Sequence, residues 1–302
     1  MSLRSKLLSG EPVITVELSP PKGTDASFLL RSATALKGCV DAINIPDCQL
    51  SILKMSSMAA CCLVQQATGL ETVWQLTCRD RNLLALQADL LGGYALGLRN
   101  LLSLTGDPIQ VGDQKEKAKQ VFHLESVRLL DLLQTLNAGR DACGAELPKQ
   151  GTDFTVGAAL NPFKLSNRAQ HLRLQQKMER QVLFFQTQPV YNPEVVERLR
   201  DLLTESAAVV GCPVPKILLG VIPPRSAQAA RRMNAEIVGV DIPSHFIDLL
   251  ERSSDPIAES IHFCADLVHK TKPYVDGFHF MPVGMSSKMG LLLDECFSYS
   301  SL

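Results

Sequence analysis

Eight short apolar runs, each ending in polar or Gly/Pro residues and followed by a longer helical pattern, predict a (β/α)₈ barrel for this 302-residue chain. The runs are near-continuously apolar rather than alternating, as in parallel strands covered on both faces. A doubly wound sheet is the second choice of architecture, and it normally carries a Gly-rich phosphate turn after its first strand. Here the first run leads instead into "PPKGTD", with no GxGxxG and no P-loop anywhere.

The first run is "VITVELS" (13–19), with a helical pattern over 25–37 behind it. "DAINIPD" (41–47) precedes a helix over 50–66, "TVWQLTC" (72–78) one over 81–96, and "NLLSLTGD" (100–107) one over 115–138. The span 139–153, "GRDACGAELPKQGTD", is rich in turn formers and reads as a loop feeding the fifth run, "FTVGAALNP" (154–162). A helix over 164–180 follows, then "VLFFQTQ" (182–188) with a helix over 193–204, and "KILLGVIPP" (216–224) with one over 226–236. "GFHFMPVG" (277–284) and a helix over 286–297 close the series, and extra helices fit 243–252 and 256–270. No repeat, low-complexity segment or linker divides the chain, so residues 1–302 are expected to form a single barrel domain with extra helices.

Composition removes several classes of function. A net charge of −1 gives no electrostatic case for nucleic acid or an acidic membrane. The run "DQKEKAKQ" (113–120) reads as the solvated start of a helix. No apolar stretch approaches the ~18 residues of a membrane span, and "MSLRSKLLSG" lacks a signal-peptide core, so a cytoplasmic protein is expected. The nine cysteines are scattered without CxxC spacing and are expected to be reduced, buried thiols. The six histidines are equally dispersed, and no metal site is predicted.

In such a barrel chemistry sits at the C-terminal strand ends. Those ends carry Glu17, Asn44, Asp47, Gln75, Thr77, Arg79, Thr105, Asp107, Asn161, Gln186, Gln188, Arg225 and His279. Glu17 is a carboxylate late in an apolar strand. Apolar surroundings make a carboxyl hold its proton, which suits a general acid; the plain alternative is a salt bridge with Lys22 or an arginine. Gly106 lets backbone approach a ligand beside Asp107, or Asp107 merely caps its turn. Gln186 and Gln188 share one strand face and present uncharged donors and acceptors, suited to a flat heterocycle with amide-like edges or, alternatively, to barrel backbone. Lys177, on the helix before that strand, could meet a phosphate or simply be exposed.

"ITVELSPPKGTD" (14–25), "QLTCRDRN" (75–82), "LLSLTGDP" (101–108), "FFQTQPVYNPE" (184–194), "GVIPPRSAQAARRMNAEIVGVDIP" (220–243) and "GFHFMPVG" (277–284), in this order, resemble the methylenetetrahydrofolate reductase family. The resemblance implies a (β/α)₈ barrel holding a flavin, usually FAD, that reduces 5,10-methylenetetrahydrofolate to 5-methyltetrahydrofolate in one-carbon metabolism and methionine biosynthesis. By motif, Glu17 matches the acid that protonates folate N10, Asp107 the aspartate beside the flavin, Gln188 the glutamine on the pterin, and Lys177 a lysine at the flavin phosphates. Thr105, Gly106 and Ala158 fall in backbone segments that line the flavin, Thr77 and Asn161 at neighbouring cofactor positions, and Val283 on the substrate side. The chain departs from the family at Gln75 (often histidine), at Pro46 (often a flavin-contacting threonine), at Leu160 and Asn161 (near a missing tyrosine), at Gln176 (often arginine) and at "ERQ" (179–181, often "AGA"). These departures cluster at the flavin and make FMN the alternative to FAD. "LTCRDRN" and "LTGDP" look closer to the branch fused to methyltransferases or working with partner subunits. Electrons are thus expected from reduced nicotinamide or a partner protein, in a homo-oligomer or a hetero-oligomer with a redox or methyltransferase partner. Two alternatives stand beside this reading: a folate-binding or methyl-transferring barrel without redox chemistry, and a non-catalytic subunit.

Overall fold

The structure is a computed structural model that describes residues 1–237 and 239–297. Eight parallel strands close into a barrel in chain order: β1 (Val13–Glu17), β2 (Ala42–Ile45), β3 (Glu71–Thr77), β4 (Asn100–Leu104), β5 (Thr155–Leu160), β6 (Phe184–Pro189), β7 (Lys216–Val221) and β8 (Gly277–Phe280). The seam is made by β1 and β8, with Thr15 beside His279. All eight predicted strands are present, each followed by a helix.

Alternation sorts each strand into an outer and an inner face. Val16, Ile43, Trp74, Leu101, Phe185, Ile217 and Phe278 belong to the large core between strands and helices. The inward set has two storeys. The lower is apolar: Val13, Ala42, Val73, Leu102, Phe184 and Leu218 pack with Leu3 and Leu7 of a short N-terminal helix, Leu3–Ser9. Gly157 leaves room there, because a Cβ on it would lie 2.4 Å from the Phe184 ring. Two residues further along β1, β2, β3 and β6 the inward side chains become Thr15, Asn44, Gln75 and Gln186, joined at that level by His279 of β8, all buried and polar. Apolar filling below therefore fixes the height at which a polar layer meets the mouth.

Several boundaries differ from the sequence expectation. The helix placed over 115–138 starts at Ser126, where Glu125 caps it by accepting from the Arg128 amide. The charged run before it forms turns instead, since Asp113 is drawn away to Lys22 and the Leu53 amide. The same Lys22–Asp113 pair removes Lys22 as the partner of Glu17. The helix expected from 50 begins at Ser57, after a loop in which Cys48, Leu50 and Ser51 adopt φ of 45°, 54° and 54°. β8 stops at Phe280, ahead of Pro282. The helix Leu3–Ser9, capped by Ser2, was not anticipated. All nine cysteines are unpaired, but Cys39 and Cys143 are exposed rather than buried. No described helix is long and apolar enough to cross a membrane.

Candidate active site at the barrel mouth

Glu17 ends β1 with its side chain only 10% exposed. Its Oε2 accepts from Gln75 Nε2 at 2.8 Å and faces His279 Nε2 at 3.8 Å. His279 Nδ1 in turn lies 2.9 Å from Thr15 Oγ1. Among the described residues no lysine or arginine pairs with Glu17, and the Gln75 amide is its hydrogen-bond donor. It opens onto a cleft of about 430 Å³ lined by Phe28, Gln49, Met281 and Val283. Beside it, Asn44 Nδ2 donates to Gln186 Oε1 at 2.8 Å across the interior. That bond leaves Asn44 Oδ1 and Gln186 Nε2 buried without partners. A donor and an acceptor are thus left over next to the acid.

A second cleft, of about 300 Å³, lies at the ends of β4, β5 and β6 and is bordered by Thr105, Asn161, Lys164, Arg173, Lys177 and Gln188. Lys177 is half-buried rather than exposed, and its Nζ donates to the Ala159 carbonyl at 2.7 Å. Burial, reinforced by the neighbouring Arg173 charge, brings its ammonium down to about 8. Arg173 is paired with Glu125. Positions 170, 173 and 177 share one helix face, whereas Gln176 is exposed and does not border the cleft. The Ala158 side chain likewise belongs to the outer core, and its inward neighbour Ala159 borders the cleft.

The remaining predicted residues have local partners. Thr105 Oγ1 accepts from the Ser126 amide, and Asn161 Oδ1 accepts from that of Phe163. Gly106 has φ +96°, and a Cβ there would come within 3.0 Å of the Cβ atoms of Arg79 and Thr77. Asp107 Oδ2 accepts from the Leu50 amide at 2.8 Å, and its carbonyl accepts from Ser51 Oγ. Asp107 thereby fastens the left-handed loop 48–51, which fully buried Arg79 also holds through the Cys48 carbonyl and Ser51 Oγ. Gln49 of that loop lines the cleft of Glu17. Thr77 donates to Asp47, which is paired with Arg81. Arg225 is exposed on the rim and takes no part in the interior network. Sequence reasoning missed Thr15 and the Asp47–Arg81 pair; the inward parity of Thr15 with Glu17 was the available signal.

Residues 2–296 match the model of the family described as methylenetetrahydrofolate reductase. The chain belongs to this family. Among solved structures it is similar to an uncharacterized protein from Clostridium thermocellum that binds two copies of 5-methyl-5,6,7,8-tetrahydrofolic acid, with TM-score 0.69, 15% identity and 98% of each chain covered. It is also similar to DmoA from Hyphomicrobium sulfonivorans, with TM-score 0.52, 10% identity, and 92% and 85% of the two chains covered. A 2,3-dimethylmalate lyase of the PEP mutase/isocitrate lyase superfamily follows, with TM-score 0.50, 10% identity, and 99% and 86% covered. These likenesses are of fold. Membership of the methylenetetrahydrofolate reductase family makes the chain a folate-metabolism protein of oxidoreductase type, in a family that is generally flavin-dependent.

The residues present fit a flavin. The second cleft gathers Lys164, Arg173 and Lys177, a cationic set suited to phosphate. The orphaned Asn44 Oδ1 and Gln186 Nε2 add neutral hydrogen-bonding capacity beneath the mouth, suited to the amide-like edge of a flat ring.

Proposed function

We propose that the chain reduces 5,10-methylenetetrahydrofolate to 5-methyltetrahydrofolate, with Glu17 as general acid. The observation that carries this reading is the Glu17 carboxyl itself. Its Oε2 is held by a neutral amide, while Oε1 has no hydrogen-bond partner among the described residues and the side chain borders an open cleft. A bound flavin, FAD or FMN, would supply the hydride. Lys177, Arg173 and Lys164 would hold its phosphate end, with Thr105 and Asn161 beside them. Gln188 borders the second cleft and would orient the pterin, and Val283 would contact substrate on the Glu17 side. Glu17 donates its proton to N10 as the imidazolidine ring opens, and the charge left on its carboxylate is met by Gln75. Holding the reacting groups in register is the protein's main contribution. The folate-binding neighbour of the same fold supports a folate as substrate. Reduced nicotinamide or a partner protein supplies electrons, in the cytoplasm, and the chain works as a homo-oligomer or as a hetero-oligomer with a redox or methyltransferase partner.

The second reading, a folate-binding or methyl-transferring barrel without redox chemistry, is favoured by the Asp107 carboxylate, which is engaged by the Leu50 amide. The absorption spectrum of freshly purified protein, before and after adding FAD or FMN, separates the two. A flavin spectrum with formation of methyltetrahydrofolate is expected. A colourless protein that stays inert with either flavin overturns the reductase reading.

A further inference from the structure

We infer that His279 is a positioning residue for Glu17, fixed by Thr15 as the Nε2–H tautomer so that it donates to the carboxylate oxygen Gln75 also holds. This inference rests on the proposed reaction.

The tautomer follows from what the two ring nitrogens face. Nε2 faces a carboxylate oxygen, which only accepts once ionised, whereas Nδ1 lies 2.9 Å from the Thr15 hydroxyl, which can donate to it. Nδ1 is then an acceptor, and the proton of the neutral ring sits on Nε2, facing Glu17 Oε2 at 3.8 Å. Thr15, Glu17 and His279 are inward residues of the paired strands β1 and β8, and Thr15 and His279 are both buried. The ring therefore has little freedom to turn away. When Glu17 gives up its proton, its O–H bond breaks, an N–H bond forms on the substrate nitrogen, and the electron pair stays on the carboxylate. Two neutral donors on Oε2 stabilise that anion more than the acid and leave Oε1 as the atom facing the cleft. Contacts that strengthen as charge develops raise kcat rather than lower KM, and such contacts are commonly long before substrate binds.

The test uses the full chain with flavin supplied, under saturating electron donor. His279→Leu should lower kcat by about 10–100-fold, the loss of one hydrogen bond to a charged group, while folate KM and flavin content stay within about 3-fold of the wild type. Thr15→Val should lower kcat about 10-fold and Thr15→Ser should restore it. In parallel, 15N chemical shifts of His279 should report a protonated Nε2 and an unprotonated Nδ1 in the wild type, and a mixture in Thr15→Val. An Nδ1–H tautomer in the wild type, or a folded Thr15→Val protein with unchanged kcat, overturns the assignment. If His279→Leu does not fold, the Thr15 pair and the NMR signal still decide. Failure of the wild type to reduce folate at all sinks the reductase reading instead, and the tautomer measurement distinguishes that outcome.

Discussion

Gln75 Nε2 donates to Glu17 Oε2 at 2.8 Å, a bond between β1 and β3 that passes over β2. It joins the proposed acid to a side chain that is itself 7% exposed. Replacing the amide by a carboxyl, Gln75→Glu, puts two carboxyls at hydrogen-bonding distance. Like charge raises the folded pKa of such a pair, so the folded state binds the extra proton more tightly than the unfolded chain. The variant should be closest to wild-type stability near pH 4 and progressively less stable as pH rises toward 7. Urea melts at both pH values check this, and equal losses at both would reject the coupling.

Glu17→Gln should leave the fold and flavin binding intact and lower folate turnover by about 10²–10⁴-fold, the usual contribution of a positioned general acid. Stopped-flow reduction by the electron donor, measured beside steady-state folate turnover, checks both halves. Turnover within a few-fold of wild type would remove Glu17 from the acid role.

Gln188→Ala should weaken folate binding by about 1–3 kcal/mol, the penalty for leaving a buried polar group of the ligand without its partner. Calorimetric titration with methyltetrahydrofolate measures it. An unchanged affinity would assign Gln188 to the barrel wall alone.

Asp107 separates charge from geometry. Asp107→Asn keeps an oxygen for the Leu50 amide and should preserve stability. Asp107→Ala should cost about 1–2 kcal/mol and speed hydrogen exchange at Leu50. If Asp107→Asn nevertheless loses turnover, the charge itself acts at the cofactor. If neither substitution affects exchange in loop 48–51, the anchoring role is wrong.

Lys177 gives a pH signature in the alkaline range. Its ammonium is held down to about 8, below its ordinary value near 10.5. The unfolded chain then keeps a proton that the folded chain has released between those values, so stability should rise with pH across that window, by at most about 3 kcal/mol. Lys177→Met should flatten the slope. Thermal melts of the flavin-free protein between pH 7.5 and 10 test it, and a wild-type curve parallel to that of the variant would contradict the assignment.

The barrel was legible because each strand is a compact apolar run closed by polar residues, and because Glu17, Gln75, Gln186 and Gln188 stand at strand ends with inward parity. The Ala158 side chain stands one step of that parity away from inward Ala159, and Gln176 is turned off the helix face that positions 170, 173 and 177 define. Other features had no local signal. Left-handed φ at Cys48, Leu50 and Ser51 is imposed by Arg79 and Asp107, which are distant in sequence. The 113–120 run has helix-forming composition, yet Asp113 finds stronger partners in Lys22 and the Leu53 amide. The short helix Leu3–Ser9 did carry a readable pattern, Leu3 and Leu7 one turn apart, but its burial beneath the barrel follows only from closure.

The amide link between Asn44 and Gln186 joins walls that face each other across the bore, β2 and β6. It works as a tie: the bore cannot stretch into an ellipse along that diameter without snapping it. Because Asn44 is registered against Glu17, a shortened side chain at position 186 would be felt at position 17 from the far wall, through a change in the roundness of the cylinder rather than through any touch.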